Sequence, residues 1–198
     1  MPGEVELQWP TELTGPLAVQ VHELIGLVAG LGGAIGWMRP PPRSQTDDWL
    51  AGVLAAVARG DGALCTAWRD GGLVAMGLWQ RDPTTYMRHS AELAKVMVHP
   101  QARGARLGRL VTQQLMASAT EAGLETLTLG ARGNNHLAIQ LYTELGFVEW
   151  GRLPNVIEVG DQRFDDVRMY LELATPAHLN LRGSAPSGPG YTPLRPQR

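Results

Sequence analysis

The chain has 198 residues, of which 44% are hydrophobic and 18% are charged, and its formal net charge is −2. This composition indicates one globular domain and excludes a disordered chain, and the charge gives no support for nucleic-acid binding. The single cysteine, Cys65, excludes an intramolecular disulfide and a multi-cysteine zinc site. Cys65 lies in an apolar run typical of a buried strand, and this cysteine usage is compatible with a reducing cytoplasm.

The N-terminal part is predicted to contain a strand followed by a helix. Alternation in residues 5–9 favours an edge strand. A helix should begin near Pro16, with Thr14 as its cap, and end in the glycine-rich run 30–36. The uncharged apolar run 24–38 is shorter than the roughly 20 residues that a membrane span needs, so no membrane contact is expected.

A second helix and a hairpin are expected next. Thr46-Asp-Asp48 should cap and charge the start of the helix, with Trp49, Val53 and Val57 facing the core. Strands 63–69 and 73–80 flank Asp70-Gly-Gly72, which is a strong hairpin signal.

The remaining pattern predicts a β-α-β-α-β-β order. Its expected elements are a strand 91–98, a helix 107–122, a strand 124–129, a helix 135–145, and strands 147–152 and 167–173. This order indicates an α/β fold with a mixed sheet of about seven strands and helices on both faces. We expect residues 1–175 to form one domain and the Pro/Gly-rich residues 176–198 to form a poorly ordered tail or a strap on a partner.

A segment rich in arginine and glycine lies between a predicted strand and a helix. Residues 96–108 read Val-Met-Val-His-Pro-Gln-Ala-Arg-Gly-Ala-Arg-Leu-Gly. Such a loop can hold a phosphorylated cofactor, because Arg103, Arg106 and Arg109 surround a helix start whose backbone N–H groups attract anions. Gly104 and Gly108 permit close approach of a ligand. The alternative is an ordinary strand-to-helix connection with solvated arginines.

A second segment, residues 134–147, reads Asn-Asn-His-Leu-Ala-Ile-Gln-Leu-Tyr-Thr-Glu-Leu-Gly-Phe. Together the two segments resemble the GNAT superfamily of acetyl-CoA-dependent N-acetyltransferases. Arg103 and Gly108 match the ends of the family's Arg/Gln-x-x-Gly-x-Gly/Ala loop, whereas Arg106 stands at its usual first glycine. Strand 91–98 is most similar to that of acetyltransferases related to the tabtoxin-resistance protein.

The resemblance implies a GNAT fold with acetyl-CoA as the acetyl donor and no metal. It places the cofactor against backbone freed by two diverging strands, against the arginine loop and against the second segment. The implied cofactor-binding residues are Val96, Met97, Val98, Arg103, Gly104, Ala105, Arg106, Leu107, Gly108, Arg109, Asn135 and Tyr142. Asn135 is equally interpreted as a helix N-cap.

Acetyl transfer also needs a base for the amine and an acid for the leaving thiolate. Tyr142 is the candidate acid, with a purely packing role as the alternative. Glu92 is the candidate base, because it is expected to share an apolar strand face with Ala94, Val96 and Val98 that raises its pKa. The alternative for Glu92 is a structural salt bridge. His99 and His136 are weaker candidate bases. Asp165 and Asp166 are candidates for attracting an ammonium group of the substrate.

Trp37 and Trp79 are candidate substrate-binding residues, because aromatic rings near carboxylates suit a cationic amine.

Taken with the resemblance, the sequence predicts a cytoplasmic N-acetyltransferase that acts on a primary amine of a small molecule. A protein N-terminal or lysine acetyltransferase and a non-catalytic acyl-CoA-binding module are the alternatives. Family members often form homodimers, and the Pro-rich tail is one candidate contact.

Overall fold

The computed structural model describes residues 3–173, in which seven strands and four helices follow one another. The strands are β1 Glu6–Gln8, β2 Gly62–Arg69, β3 Gly72–Arg81, β4 Ser90–Val98, β5 Thr126–Arg132, β6 Val148–Val159 and β7 Gln162–Glu172. The helices are α1 Gly15–Gly30, α2 Arg43–Ala58, α3 Leu107–Glu121 and α4 His136–Glu144. The predicted tail 176–198 and the predicted domain boundary at residue 175 lie outside the described residues.

The strands form one mixed sheet in the order β1-β2-β3-β4-β5-β7-β6. The β4–β5 pair is parallel, and the other neighbouring pairs are antiparallel. Asp70 and Gly71 turn the β2–β3 hairpin with φ values of 51° and 78°, as two-residue hairpin turns favour. The predicted mixed sheet of about seven strands is confirmed.

Helices cover both faces of this sheet, as predicted. One core cluster joins α1 and α2 to Leu64, Met76 and Met97 of the sheet. The other joins α3 and Tyr142 to alternate strand positions such as Cys65 and Leu127. Strand side chains alternate between faces, so the same strands supply both clusters.

Helix α1 begins as expected, whereas α2 does not. The Thr14 hydroxyl accepts a hydrogen bond from Leu17 N at 3.4 Å, which caps α1. Helix α2 starts at Arg43, after Pro42, so the prediction that Thr46 caps it is wrong. Thr46 lies in the first turn of the helix, where its side chain is buried and its hydroxyl donates a hydrogen bond to Arg43 O at 2.8 Å. A proline fixes φ near its helical value, so it can precede a helix without a side-chain cap.

The final hairpin is longer than predicted. Strand β6 continues through Pro154 to Val159, and β7 starts at Gln162 rather than at residue 167. Since β6 is an edge strand, Pro154 removes no hydrogen bond that a central strand would need. None of the helices in residues 3–173 combines the length and the hydropathy required to cross a bilayer.

Candidate acetyl-transfer site

The arginine-rich segment forms a tight loop at the start of α3. Arg106 occupies the N-cap position with a left-handed φ of 56°, and Gly104 has a φ of 85°. A left-handed residue is usually glycine, which explains why the resembled family places one where Arg106 stands. Within residues 3–173 no side chain caps this helix start, so its first backbone N–H groups can bind an anion.

A cavity of about 840 Å³, the arginine cavity, opens over this loop. Arg103, Arg106 and Arg109 all line it. Arg109 also forms a salt bridge with Glu144 of α4. The salt bridge partly balances the charge of Arg109.

Strands β4 and β5 diverge beside the arginine cavity. They pair only from Ser90 to Glu92, although β4 continues for six more residues. A second cavity of about 290 Å³, the strand-gap cavity, lies there and is lined by Val96, Met97 and Val98. Within residues 3–173, the edge of this stretch that faces β5 has no strand partner beyond Glu92, so its backbone groups are free to bind a ligand.

The backbone of β4 is irregular at Lys95, which has a φ of 54°. The β3–β4 register shifts at the same place, since Leu78 faces Ala94 but Met76 faces Met97. This extra residue turns Val96 and Val98 toward α3, whereas Ala94 packs on the α1–α2 side. The prediction that Glu92 shares one apolar face with Val96 and Val98 is therefore wrong.

Lys95 is the only lysine in the chain. Its Nζ donates a hydrogen bond to Ile35 O at 2.6 Å and lies 4.5 Å from the centre of the Trp37 ring. Burial lowers the pKa of Lys95, and the nearby Glu92 carboxylate partly opposes that shift. Lys95 thus ties the glycine-rich loop 31–36 to β4.

A third cavity, the carboxylate cavity, has a volume of about 260 Å³ and lies on the other side of the glycine-rich loop. Glu92, Asp166, Arg168 and Trp37 line it. Arg168 Nε donates to Asp166 Oδ2 at 2.8 Å, and Arg168 Nη1 lies 3.9 Å from Glu92 Oε1. The Glu92 side chain remains 57% exposed, so the apolar surroundings expected for a base are absent there in the described residues.

The three cavities follow one another along the protein. The arginine and strand-gap cavities share Val98 and Arg103. The strand-gap and carboxylate cavities share Gly32, Gly33, Ala34 and Arg132. The three cavities are therefore neighbours, in the order arginine loop, strand gap and Glu92.

The second motif places Asn135 and Tyr142 on α4. Asn135 Oδ1 accepts from Ala138 N at 3.4 Å, so the N-cap interpretation holds, and Asn135 also lines the strand-gap cavity. Tyr142 is buried against Phe147, and burial raises the pKa of its phenol to about 12. In the described part of the chain, Tyr142 belongs to the α3-side core and is not among the residues that line the three cavities.

Several other candidates lie away from the cavities. Trp79 belongs to the α3-side core, where its Nε1 donates to Ser118 Oγ at 3.2 Å, so its predicted substrate contact is wrong. Asp165 binds Arg152, and this partner lowers the pKa of Asp165. Cys65 is buried, which raises the pKa of its thiol to about 11 and opposes a nucleophilic role.

Two functional candidates were missed from the sequence. Arg132 ends β5 and Arg168 lies within β7, and basic residues are mostly exposed to solvent. The available signal was the i,i+2 spacing of Asp166 and Arg168, which puts both on one face of a strand.

Comparisons with known proteins agree with this geometry. The profile of the acetyltransferase (GNAT) family matches residues 33–147. The chain is 34% identical over 109 residues to a mycothiol acetyltransferase of Tsukamurella paurometabola, covering 53% of this chain and 35% of that protein. It is 31% identical over 86 residues to the L-amino acid N-acyltransferase MnaT of Escherichia coli, covering 43% and 49% of the two chains.

A solved structure of yncA, a putative acetyltransferase from Salmonella typhimurium with its cofactor acetyl-CoA, superposes with a TM-score of 0.75 at 20% identity, covering 88% of this chain and 96% of that one. The chain spans about a third to a half of the length of the two curated relatives. The profile match covers more than half of the chain, including the arginine loop and the second motif. The chain belongs to the acetyltransferase (GNAT) family.

Proposed function

We propose that this protein is an acetyl-CoA-dependent N-acetyltransferase that moves an acetyl group directly to a primary amine of a small molecule. The observation that carries the proposal is the row of three cavities from the arginine loop, through the gap between β4 and β5, to Glu92. This row has a cationic start, an exposed backbone edge and an end with carboxylates. The family membership supports the same reaction.

Residues of the first two cavities would hold acetyl-CoA. Arg103, Arg106 and the first N–H groups of α3 would bind its pyrophosphate, since both cationic side chains and helix N-termini attract phosphate oxygens. Backbone groups of Val96 to Val98 would bind the amide-rich pantetheine arm, which needs hydrogen-bond partners of this kind. Asn135 lines the same gap and is the side chain placed to add a hydrogen bond.

Glu92 and Tyr142 would move the protons. The neutral amine forms a C–N bond to the thioester carbonyl carbon, and the C–S bond breaks. Glu92 accepts the proton that the amine loses, directly or through a water. Tyr142, which the second motif places on α4, donates a proton to the departing thiolate.

The small carboxylate cavity favours a small acceptor over a protein. Its volume of about 260 Å³ is below the range of roughly 300–1,000 Å³ typical of drug-sized ligands. The alternatives are an enzyme for protein N-termini or lysines and a non-catalytic acyl-CoA-binding module. The first predicts preference for peptides; the second predicts acetyl-CoA binding without turnover of any amine.

Removing the two loop arginines should weaken acetyl-CoA binding. We expect Arg103→Ala/Arg106→Ala to raise the dissociation constant at least about tenfold, or about 1.4 kcal/mol, because two charge-assisted contacts to phosphate are lost. Isothermal titration with acetyl-CoA measures this change. Arg163→Ala is the matched control, because Arg163 lies on β7, pairs with Glu158 and lines none of the three cavities.

Failure of the wild type to bind acetyl-CoA would refute both the enzyme and the acyl-CoA-binding module. Equal weakening by Arg163→Ala would show that the loss reflects overall charge rather than the loop. Tight binding without release of coenzyme A on a panel of amines would favour the non-catalytic module.

The remaining parts of the proposal concern location and assembly. We propose that the protein is cytoplasmic, because its reaction uses acetyl-CoA. We also propose that it forms a homodimer through the exposed edge strand β6. Four large apolar side chains of that strand are about half or more exposed: Val148, Trp150, Leu153 and Val156. An edge strand with such side chains is favourable for pairing.

A further inference from the structure

The carboxylate cavity carries charges of both signs. Glu92 and Asp166 supply two negative charges, and Arg132 and Arg168 supply two positive charges. A site built for a simple cationic amine would carry a net negative charge. A site that carries equal numbers of positive and negative side chains is complementary to a ligand that itself bears both charges.

One of the two arginines already has a structural role. Arg132 Nε donates to Asn134 Oδ1 and its Nη2 donates to Gly32 O, both at 2.7 Å. Its guanidinium also lies 5.1 Å from the centre of the Phe164 ring. Arg132 therefore holds the glycine-rich loop through two of its five N–H groups.

The other arginine has donors to spare. Arg168 Nε donates to Asp166, but Nη1 is 3.9 Å from Glu92 Oε1, which is too long for a hydrogen bond. The side chain is 48% exposed and lines the cavity. Across residues 3–173, no other hydrogen bond from this guanidinium was found. Its two terminal nitrogens match the two oxygens of a carboxylate.

Gly130 allows Arg168 to reach across the sheet. Gly130 of β5 lies directly opposite Arg168 of β7 in the strand register. A Cβ atom at Gly130 would lie 3.3 Å from Arg168 Nη1 and 3.4 Å from its Cζ. The guanidinium therefore lies against β5 because this position lacks a side chain, and it extends from Asp166 toward Glu92.

We propose that Arg168 binds the carboxylate of a zwitterionic acceptor, namely a free α-amino acid with an apolar side chain, while Glu92 faces its amine. In an α-amino acid the two groups are separated by one carbon, which fits the neighbouring positions of Arg168 and Glu92. Trp37, Ile157 and Val159 line the same cavity and offer apolar surface to the side chain. The inference rests on the proposed function and adds the substrate class.

Matched acceptors test this proposal. Leucine has the carboxylate, leucinamide retains the size and the α-amine but lacks the charge, and the dipeptide Leu-Gly represents a protein N-terminus. We expect the wild type to have a kcat/KM for leucine at least about tenfold above that for leucinamide, compared at pH values that give equal fractions of neutral amine. A charge-assisted bidentate contact supports a change of this size.

Two variants remove the contact in different ways. Arg168→Gln removes the guanidinium, and Gly130→Val fills the space over which it lies. Both should lower the leucine/leucinamide ratio about tenfold or more. Arg163→Gln is the matched control, because Arg163 is on the same strand and lies outside the cavity; it should leave the ratio unchanged. Circular dichroism melts would show that each variant is folded.

Binding provides a second readout that does not depend on turnover. Isothermal titration of leucine in the presence of coenzyme A should show binding to the wild type and loss of binding in Arg168→Gln. Acetylation of amines with no preference for leucine, or a ratio unchanged in Arg168→Gln, would overturn the inference and leave the proposed function standing. Preference for Leu-Gly would overturn it in favour of a peptide acceptor. Leucine binding that requires Arg168 without any acetyl transfer would support Arg168 as the carboxylate-binding residue, and it would refute the proposed function and the role of leucine as acceptor.

Discussion

At the scale of the residue, the packing of Tyr142 and its proposed chemistry depend on different parts of its side chain. Its ring packs against Phe147 with a centroid distance of 5.7 Å, and that packing does not need the hydroxyl. The proposed proton donation needs only the hydroxyl. Substitution by phenylalanine therefore keeps the packing and removes the proposed chemistry.

We expect Tyr142→Phe to lower kcat at least about tenfold, with the dissociation constant for acetyl-CoA changed less than about twofold, since general acids typically contribute about 10²–10⁴-fold. The protonated phenol is the active form and is fully present below its pKa of about 12. This group should therefore cause no loss of rate as the pH rises from 7 to 10. Steady-state kinetics across that range measure both effects; an unchanged kcat in the variant would leave Tyr142 with the packing role alone.

Residues in turns were predictable because their backbone conformation restricts the residue type. Asp70-Gly71 read as a hairpin turn and has two left-handed residues there. The face of the sheet on which a side chain lies was harder to predict, because it depends on the register of the strand. One inserted residue at Lys95 puts Glu92 on the opposite face of the sheet from Val96 and Val98. No local sequence pattern predicts such a bulge.

At the scale of the element, helices with glycine ends were predicted within one or two residues. Helix α3 was expected to begin at Leu107 and does, and α4 follows Asn135 as expected. The start of α2 was placed too late because Thr46-Asp-Asp48 resembles a cap. In the fold, the Thr46 hydroxyl instead contacts His22 Nδ1 of α1 at 3.0 Å. This tertiary contact cannot be predicted from the residues around Thr46.

The link between β4 and the glycine-rich loop is testable through Lys95. Lys95→Met keeps much of the side-chain volume and removes the donor to Ile35 O. We expect faster hydrogen exchange at the amides of residues 31–38 and a free energy of unfolding lower by about 1–2 kcal/mol. The KM for the acceptor should rise more than the dissociation constant for acetyl-CoA, because the loop forms a wall of the carboxylate cavity.

Hydrogen exchange by mass spectrometry and chemical denaturation measure these changes. Lys95→Arg is the conservative control, because arginine retains a donor and a cation near Trp37. Unchanged exchange in Lys95→Met would mean that the loop is held by Arg132 and by its own backbone hydrogen bonds rather than by Lys95.

At the scale of the whole molecule, the exposed edge strand β6 predicts the assembly. Trp150 is 62% exposed there. We expect the wild type to run at twice the chain mass of 21.4 kDa and Trp150→Glu to shift it toward the monomer, because a carboxylate opposes burial in an interface. Light scattering after size-exclusion chromatography gives the mass.

Tyr86→Glu is the control, because Tyr86 is 83% exposed in the β3–β4 connection, away from β6 in the sheet order. A monomeric wild type would contradict the dimer. A dimer that is unaffected by Trp150→Glu would place the contact elsewhere, for example on residues 174–198.

The residues proposed to bind the cofactor could be chosen from the sequence because they lie close together in it. The arginine loop and the strand before it form one short segment, and the family pattern marks both. The carboxylate cavity instead joins the loop after α1 to β4, β5 and the β6–β7 hairpin. Its members are up to 136 residues apart in sequence (Gly32 to Arg168) and meet only when the sheet has formed, so the spacing of Asp166 and Arg168 alone could not show that they share a cavity with Glu92.

The presence of a single lysine has a practical consequence. Reductive methylation with ¹³C-formaldehyde would convert one ε-amine, that of Lys95, into a dimethylamine, alongside the chain's α-amine. Its NMR resonance would lie next to the Trp37 ring, whose ring current depends strongly on distance. The chemical shift of this one group would show whether the distance between Lys95 and Trp37 changes when a ligand binds, with every arginine left unmodified.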